Sequence, residues 1–421
     1  MVCPDCEILA KKVAELETKL ARYENAHTPP SIRSGGFIRS LIPESEKKKS
    51  GGKQGHPGST RPQLKPTSSI ELVLDNCTHC QAKLGKPFKI ESIIKEEIPE
   101  PQPIEIVDYR IGHYECRKCH KISVANHPSL PAQGRFGNNL LTEISLSKFE
   151  ERLPVLKIKA HLLRRYQLHV SAATIFDMTR RVSDKLRANY KQLAEEVRKS
   201  AYVYADETGI NVNGEKYWIW IFVTSTETLV FIRKSRAKKV VEEVLGPDYK
   251  GIIVCDGHTA YSQYSVRLQR CWAHLLREAK HLANKWTSAE HLLKGLKALF
   301  DKLKMVRSEV ELVRKKAYDD ALLELKQWVD YGSGYKELRK FAGKIGRGLE
   351  HFLTFVLHPE VEPTNNTAER ALREHVVIRK IIGTFRNTKG TTIHETITSL
   401  IATWKQQGLN IQKMLKTSLT T

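Results

Sequence analysis

AYVYADETGINVNGEKYWIWIFVTSTETLVFIRK, residues 201–234, decides the fold. It is dense in β-branched and aromatic residues, and Asn213-Gly214 between two such runs is a strong two-residue hairpin signal. A helical pattern follows at Lys238–Leu245, then the apolar strand GIIVCDG, residues 251–257. Another candidate strand, Val266–Cys271, leads into the helix WAHLLREAKHLANKW. Strands this apolar are expected side by side in the middle of a sheet. Asp206 ends the run AYVYA and Asp256 ends the run IIVC, so both carboxylates are expected to emerge at the sheet.

A third acid stands in NNTAERALREHVVIRK, residues 365–380, which holds four cationic side chains and two acidic ones, Glu369 and Glu374. Pro359, Pro363 and Asn365 punctuate its start, so Glu369 opens a helix after a break and is placed to pack beside the other two acids. Three converging carboxylates repel one another unless cations are present. Two Mg2+ ions, hard and oxygen-seeking, relieve that repulsion. Held about 4 Å apart, such ions activate a water or a 3′-hydroxyl and stabilise the leaving oxygen of a phosphodiester. Each acid also has an ordinary reading: a turn residue beside Glu207, an Asp-Gly turn, and a first-turn helix acid paired with Arg373.

The chain has 421 residues, enough for about three domains, and a net charge of +22 from 69 Lys and Arg against 47 Asp and Glu. That excess points to a polyanion, nucleic acid before a membrane surface. The longest uniformly apolar run, Tyr217–Val223, is far short of the ~20 residues of a membrane span. The opening MVCPDCEILAKK lacks a signal pattern. These features predict a cytoplasmic, nucleoid-associated protein without a membrane partner, and cysteines that are thiols or metal ligands rather than disulfides.

Cys77-x2-Cys80 and Cys116-x2-Cys119 are two knuckles separated by 35 residues with strand patterns at Ile70–Leu74, Lys89–Ile98 and Ile104–Glu115. Four thiolates gathered tetrahedrally suit a closed, structural Zn2+ site. Cys3 and Cys6 form a further pair, as free thiols or as a site shared across a dimer; Cys255 and Cys271 read as buried. Cys6, Leu9, Val13, Leu16, Leu20 and Tyr23 make a short seam, read as a dimerising coiled coil or a lone amphipathic helix. Between Ile32 and Pro66, eight Lys or Arg and two Glu mark a basic arm along phosphates or a solvated linker.

From Leu140 to Lys199, 13 Lys or Arg stand against 7 Asp or Glu. LPVLKIKAHLLRRYQLHVSAATIFDMTRRV reads as helix, turn, helix, with Leu156, Leu162 and Leu163 on the first apolar face. Ser171 is placed to cap a second helix carrying Ile175, Met178 and Val182. This is either a DNA-reading helix-turn-helix, with Arg164, Arg165, Arg180 and Arg181 against DNA, or an ordinary helical hairpin.

Four motifs in order, ADET (205–208), CDGHTAY (255–261), CWAHLLRE (271–278) and NNTAERALREHVVIRK, resemble those of the DDE transposases of the insertion sequence 66 family. GGKQGHPGSTRP, the cysteine knuckles and the trailing GTFRNTKGTTIHETITSLIATWKQQGLN resemble the same family's linker, zinc-binding domain and end. Gly209 and His258 depart from its usual proline and aromatic. The resemblance implies a multidomain α+β chain. Its parts would be a short coiled coil (1–28), a basic flexible linker (29–67), a zinc-binding β domain (68–130) and a helical, helix-turn-helix-like DNA-binding domain (131–199). An RNase H-like α/β catalytic core (200–287) would follow, then a helical insertion (288–361), the last catalytic helix (362–386) and a helical tail (387–421).

It further implies that Asp206, Asp256 and Glu369 bind two Mg2+ ions, with Mn2+ able to substitute, and that the enzyme cuts at its element's ends and joins the freed 3′-hydroxyl to target DNA. Arg370 and Arg373 would counter phosphate charge, Asn365 and Asn366 would cap the helix or bond to the DNA backbone, and His258 would contact DNA. The expected partners are the terminal repeats and target DNA, a homodimer or larger synaptic complex, and helper proteins from the same element. The competing readings are a catalytically inactive DNA-binding repressor and a metal-dependent nuclease without strand transfer.

Overall fold

The computed structural model describes residues 65–127, 130, 134–265 and 267–420. The expected coiled coil, most of the basic linker, and Cys3 and Cys6 lie outside the described residues. The described residues divide into two units, one of residues 65–102 and one from residue 103 onward.

Within the smaller unit the described backbone is irregular, apart from a single bridge between Asn76 and Lys83 that closes the first cysteine knuckle. The strands expected at Ile70–Leu74 and Lys89–Ile98 are absent there. Ile70, Leu72, Ile90 and Ile93 are exposed, and a β-like pattern without a partner edge has nothing to pair with. In the larger unit the second knuckle sits in a hairpin of β1 (His113–Glu115) and β2 (Ile122–Val124), so only the end of the expected strand Ile104–Glu115 is realised.

A helical segment follows: α1 (Asn138–Ser145), continued by a π-helical turn, α2 (Val155–Tyr166), α3 (Ala172–Lys185) and α4 (Arg187–Lys199). Ser171 caps α3 as the sequence predicts, its hydroxyl accepting the N–H of Thr174 at 3.0 Å. Ile175, Met178 and Val182 are buried. On α2 the buried face is Ile158 and Leu162, whereas Leu156 and Leu163 are exposed, a correction of about one position around the helix.

The central sheet begins with β3 (Tyr202–Val212) and β4 (Glu215–Val223), joined at Asn213 and Gly214, both of which adopt positive φ. β5 (Thr228–Arg233) adds an antiparallel strand beside β4. The chain crosses over by α5 (Lys238–Leu245) to β6 (Ile252–Cys255), and by α6 (Thr259–Tyr264) to β7 (Leu268–Arg270). β6 and β7 run parallel to β3, giving the order β5-β4-β3-β6-β7. Five helices follow: α7 (Trp272–Ala283), α8 (Thr287–Val306), α9 (Glu311–Gly334), α10 (Arg339–Gly346) and α11 (Thr354–Leu357). They bury a core of their own around Trp272, whose indole N–H donates to the Phe352 carbonyl at 2.6 Å. The chain then returns to the sheet with α12 (Asn366–Ile382) and β8 (Thr384–Phe385), and ends in α13 (Thr388–Gln406) and α14 (Ile411–Thr420). Among the described residues no helix is long and apolar enough to cross a membrane.

α13 solves the edge problem of β5. An edge strand carries a row of unpaired N–H groups, which is unfavourable when buried. Thr403, Ser399 and Glu395 recur every fourth residue on one face of α13, about 6 Å apart along its axis. Alternate N–H groups of β5 recur at nearly the same interval. The N–H groups of Thr228, Val230 and Ile232 accordingly donate to Thr403 Oγ1, Ser399 Oγ and Glu395 Oε1. Burial pushes the Glu395 carboxyl up to about 7, against the pull of Arg233. Ser399→Ala, which leaves the Val230 N–H buried without an acceptor, is expected to lower unfolding free energy by about 1–3 kcal/mol in denaturant melts. Because the folded-state pKa of Glu395 is raised, its protonated form stabilises the fold below pH 4.5, and that contribution is lost as pH rises through about 7. Melting temperatures of Glu395→Gln are therefore expected to gain on wild type across that window.

Candidate active site

The register of β3 and β6 places the first two acids. Tyr202, Val203 and Tyr204 pair with Ile252, Ile253 and Val254. Asp256 follows the last residue of β6, and the same offset carried two residues on brings it level with Asp206, whose carboxyl its charge raises. Side chains alternate along a strand, so Asp206 shares a face with Tyr204. Tyr204 and Val254 belong to the cluster that packs Ala368 and Leu372 of α12, the helix whose first turn carries Glu369. Asp206 thereby faces the side of the sheet that α12 covers, and the charges of Asp256 and Glu369 both reach it. Asp206 does not end its strand, as the sequence reading held; β3 continues six residues beyond it because β4 pairs with it throughout.

α12 is seated by a gap in the sheet. β6 covers one edge of β3 at residues 202–204 and β8 covers it at residues 211–212, leaving 205–210 without a strand on that side. The Asn365 side-chain N–H donates to the Ala205 carbonyl at 2.8 Å, and Arg379 donates to the Gly209 carbonyl and, at 3.2 Å, to Thr208 Oγ1. Asn365 is fully buried and makes no side-chain cap, so its expected contact with DNA or the helix end is replaced by a bond to the strand beside Asp206. Its neighbour Asn366 is exposed.

The carboxylates sense one another. Burial, and then the charges of Asp256, Glu207 and Glu369, drive the Asp206 carboxyl well above its ordinary range. Its Oδ1 accepts the Glu207 N–H at 2.9 Å, and Asp256 Oδ1 accepts the His258 N–H at 2.8 Å. Glu369 is also raised, mainly by burial and by Asp256, with Arg277 and Arg373 opposing. Its Oε1 is buried without a hydrogen-bond donor and lies 3.4 Å from His274 Nδ1.

Glu207 faces the other way. It is buried, accepts Arg236 Nη2 at 2.6 Å and the Tyr261 hydroxyl at 2.5 Å, and lies 3.9 Å from His258 Nδ1. It thus ties the α6 segment after Asp256 to the strand that bears Asp206. His258 itself caps α6 and is largely buried. Sequence reasoning took Glu207 for a turn neighbour and missed Arg277 and His274; the alternation of β3 is the signal that assigns Glu207 to the core.

Of the cationic residues singled out, Arg370 and Arg373 are exposed on α12, and Arg164 and Arg165 are exposed in the last turn of α2. Arg180 is engaged by Asp177 at 2.6 Å and Asp184 at 2.8 Å, which satisfies its charge within α3; Arg181 is half-buried. Each cysteine knuckle has the same backbone turn. The Cys77 carbonyl accepts the Gln81 N–H and the Cys116 carbonyl accepts the His120 N–H, with Gln81 and His120 at positive φ. Backbone N–H groups of Cys80 and His79 lower the Cys77 thiol, and those of Cys119 and Lys118 lower Cys116. Cys255 and Cys271 are buried, as expected.

A mixed sheet with Asp206 on its central strand, Asp256 just past the end of β6 and Glu369 on a late helix defines an α/β protein whose three acids interact electrostatically. Residues 133–393 match the family model described as Transposase IS66 family, and the chain belongs to that family. It is also similar to the uncharacterized protein y4qI of Sinorhizobium fredii, 24% identical over 324 residues, which are 67% of this chain and 58% of that relative. The chain thus matches less than two thirds of that relative's length.

Tyr261→Phe removes the donor to buried Glu207 and is expected to cost about 1–3 kcal/mol in unfolding experiments. Asp256→Asn keeps an acceptor for His258 while relieving Asp206 of its strongest charged neighbour. In chelator the variant is expected to melt above wild type, reflecting about 1–2 kcal/mol of like-charge repulsion removed.

Proposed function

We propose that this chain is a DDE-type DNA transposase, with Asp206, Asp256 and Glu369 as its metal-binding acids on an RNase H-like core. The observation that supports the reading is that Asp206 lies within electrostatic reach of both Asp256 and Glu369, on the face of β3 that α12 covers. The antiparallel β3–β4–β5 meander followed by parallel β6 and β7 agrees with that core.

The residues fit hard divalent cations. All three donors are carboxylate oxygens, the charge of one raises the affinity of another for protons, and Glu369 Oε1 has no hydrogen-bond donor. A pair of Mg2+ ions, or Mn2+ in their place, supplies the Lewis acidity that activates a water or 3′-hydroxyl and neutralises the leaving oxygen of a phosphodiester. The protein's own contribution is orientation. Asn365 and Arg379 hold α12 against β3, Glu207 holds the segment after Asp256 through Tyr261, and Arg277 and Arg373 place positive charge beside Glu369. Arg370 and Arg373, exposed on the same helix, are suited to phosphates of the bound strand. The knuckle cysteines Cys77, Cys80, Cys116 and Cys119 are proposed, on their chemistry, as thiolate ligands of structural Zn2+. The substrates on this reading are element ends and target DNA, with a dimer or larger complex to hold two ends and helper proteins from the same element.

The test is a cleavage and joining assay with Mg2+ on DNA that flanks the gene, supplied with helper proteins. Wild type is expected to give joined products, and Asp206→Asn, Asp256→Asn or Glu369→Gln to lose about 10³-fold in rate, corresponding to several kcal/mol of transition-state stabilisation. Tight end binding with no cleavage by wild type would favour the repressor reading.

A further inference from the structure

Beside the three acids lies a second donor set of different chemistry. Cys271, His274 and Glu369 each offer one ligand atom, and these atoms all lie within 4.8 Å of one another. We propose that these three side chains form a distinct site for a borderline cation of the Zn2+ class, and that an ion bound there withholds Glu369 from the hard-ion site.

Local structure makes the set. Cys271 is the N-cap of α7 and His274 follows one turn later, so the first turn of this helix presents sulfur and imidazole together. The first turn of α12 supplies the carboxylate. The two turns are joined directly, since the Asn365 N–H donates to Cys271 Sγ at 3.2 Å and the Trp272 N–H donates to the Pro363 carbonyl at 3.0 Å. Burial raises the Cys271 thiol, and the backbone N–H groups of Asn365, His274 and Ala273 only partly offset it. Outer donors of this kind hold a metal-bound thiolate in place.

One ligand pair already has the spacing of tetrahedral coordination, and the sulfur lies within 4.8 Å of both. Bonds of about 2.0–2.3 Å put neighbouring zinc ligands roughly 3.3–3.8 Å apart. His274 Nδ1 and Glu369 Oε1 already stand at 3.4 Å, and the latter is buried with no hydrogen-bond donor. Thiolate and imidazole select Zn2+ over Mg2+, which takes oxygen ligands in octahedral geometry. Three protein ligands leave a fourth position open to water or a substrate oxygen. Because Glu369 belongs to both donor sets, the two kinds of ion compete for it. That competition rests on the transposase reading, whereas the existence of the site does not.

The test uses the full chain stripped with chelator and titrated with Co2+ as a spectroscopic stand-in for Zn2+, with bound equivalents counted against a chromophoric chelator. Wild type is compared with Cys271→Ser, His274→Gln and Glu369→Gln. The knuckle cysteines contribute equally in all four. Each variant is expected to bind one equivalent fewer and to lose the absorption of a mixed sulfur, nitrogen and oxygen site. Equal stoichiometry and identical spectra in wild type, His274→Gln and Glu369→Gln would overturn the site. These two substitutions are conservative and half-buried, so the result does not depend on whether a change at buried Cys271 is tolerated. In the cleavage assay, Zn2+ is expected to slow the Mg2+-supported reaction and excess Mg2+ to restore it; inhibition that Mg2+ fails to relieve would overturn the sharing of Glu369. The binding readout needs no DNA, so a chain that binds the extra equivalent but cuts nothing fails the transposase reading alone.

Discussion

Two backbone carbonyls, those of Ala205 and Gly209, determine how this molecule is assembled around its acids. They lie where β3 has lost one neighbouring strand and not yet gained the next. Buried carbonyls need donors, and here the donors are side chains of one helix, Asn365 before its first turn and Arg379 near its last. α12 is therefore held along the opening in the sheet by both ends. Asp206 sits in that opening, and Glu369, one turn after Asn365, is brought to it. An unbroken ladder at 205–210 would leave no place for the helix, and the third acid would not reach the other two.

The same arrangement is unfavourable electrostatically without cations. Asp206 is raised by burial and by three neighbouring acids, so part of the stability of the fold is given up to gather them. The surroundings limit that loss. Glu207, adjacent to Asp206 in sequence, is turned to the opposite face and matched by Arg236 and Tyr261. Arg277 and Arg373 stand near Glu369. The excess of 69 basic over 47 acidic residues leaves positive charge beyond what the chain's own acids neutralise.

Much of the core is legible in the amino-acid sequence because it rests on local signals. Asn213-Gly214 specifies its turn by backbone conformation alone, and Lys238–Leu245 forms the helix its periodicity predicts. Glu369 is found in a first helical turn because the prolines before it break the chain. What was not legible depends on partners distant in sequence. Asp206 looks like a strand end until β4 is seen to extend β3 past it. Asn365 looks like a cap because its acceptor, Ala205, is 160 residues away. The strand patterns at Ile70–Leu74 and Lys89–Ile98 are compositional and have no paired edge. The four-residue spacing of Glu395, Ser399 and Thr403 acquires meaning only from the bare edge of β5.

The central claim is that Asp206, Asp256 and Glu369 form one site for hard cations. Anomalous scattering from crystals of the chain grown with Mn2+ and a short DNA end tests it directly. The expected result is Mn2+ density contacted by oxygens of Asp206 and Asp256, with Glu369 completing the site, and loss of that density in Asp256→Asn. Saturating Mn2+ with no density against these carboxylates, or density held by other residues alone, would contradict the account.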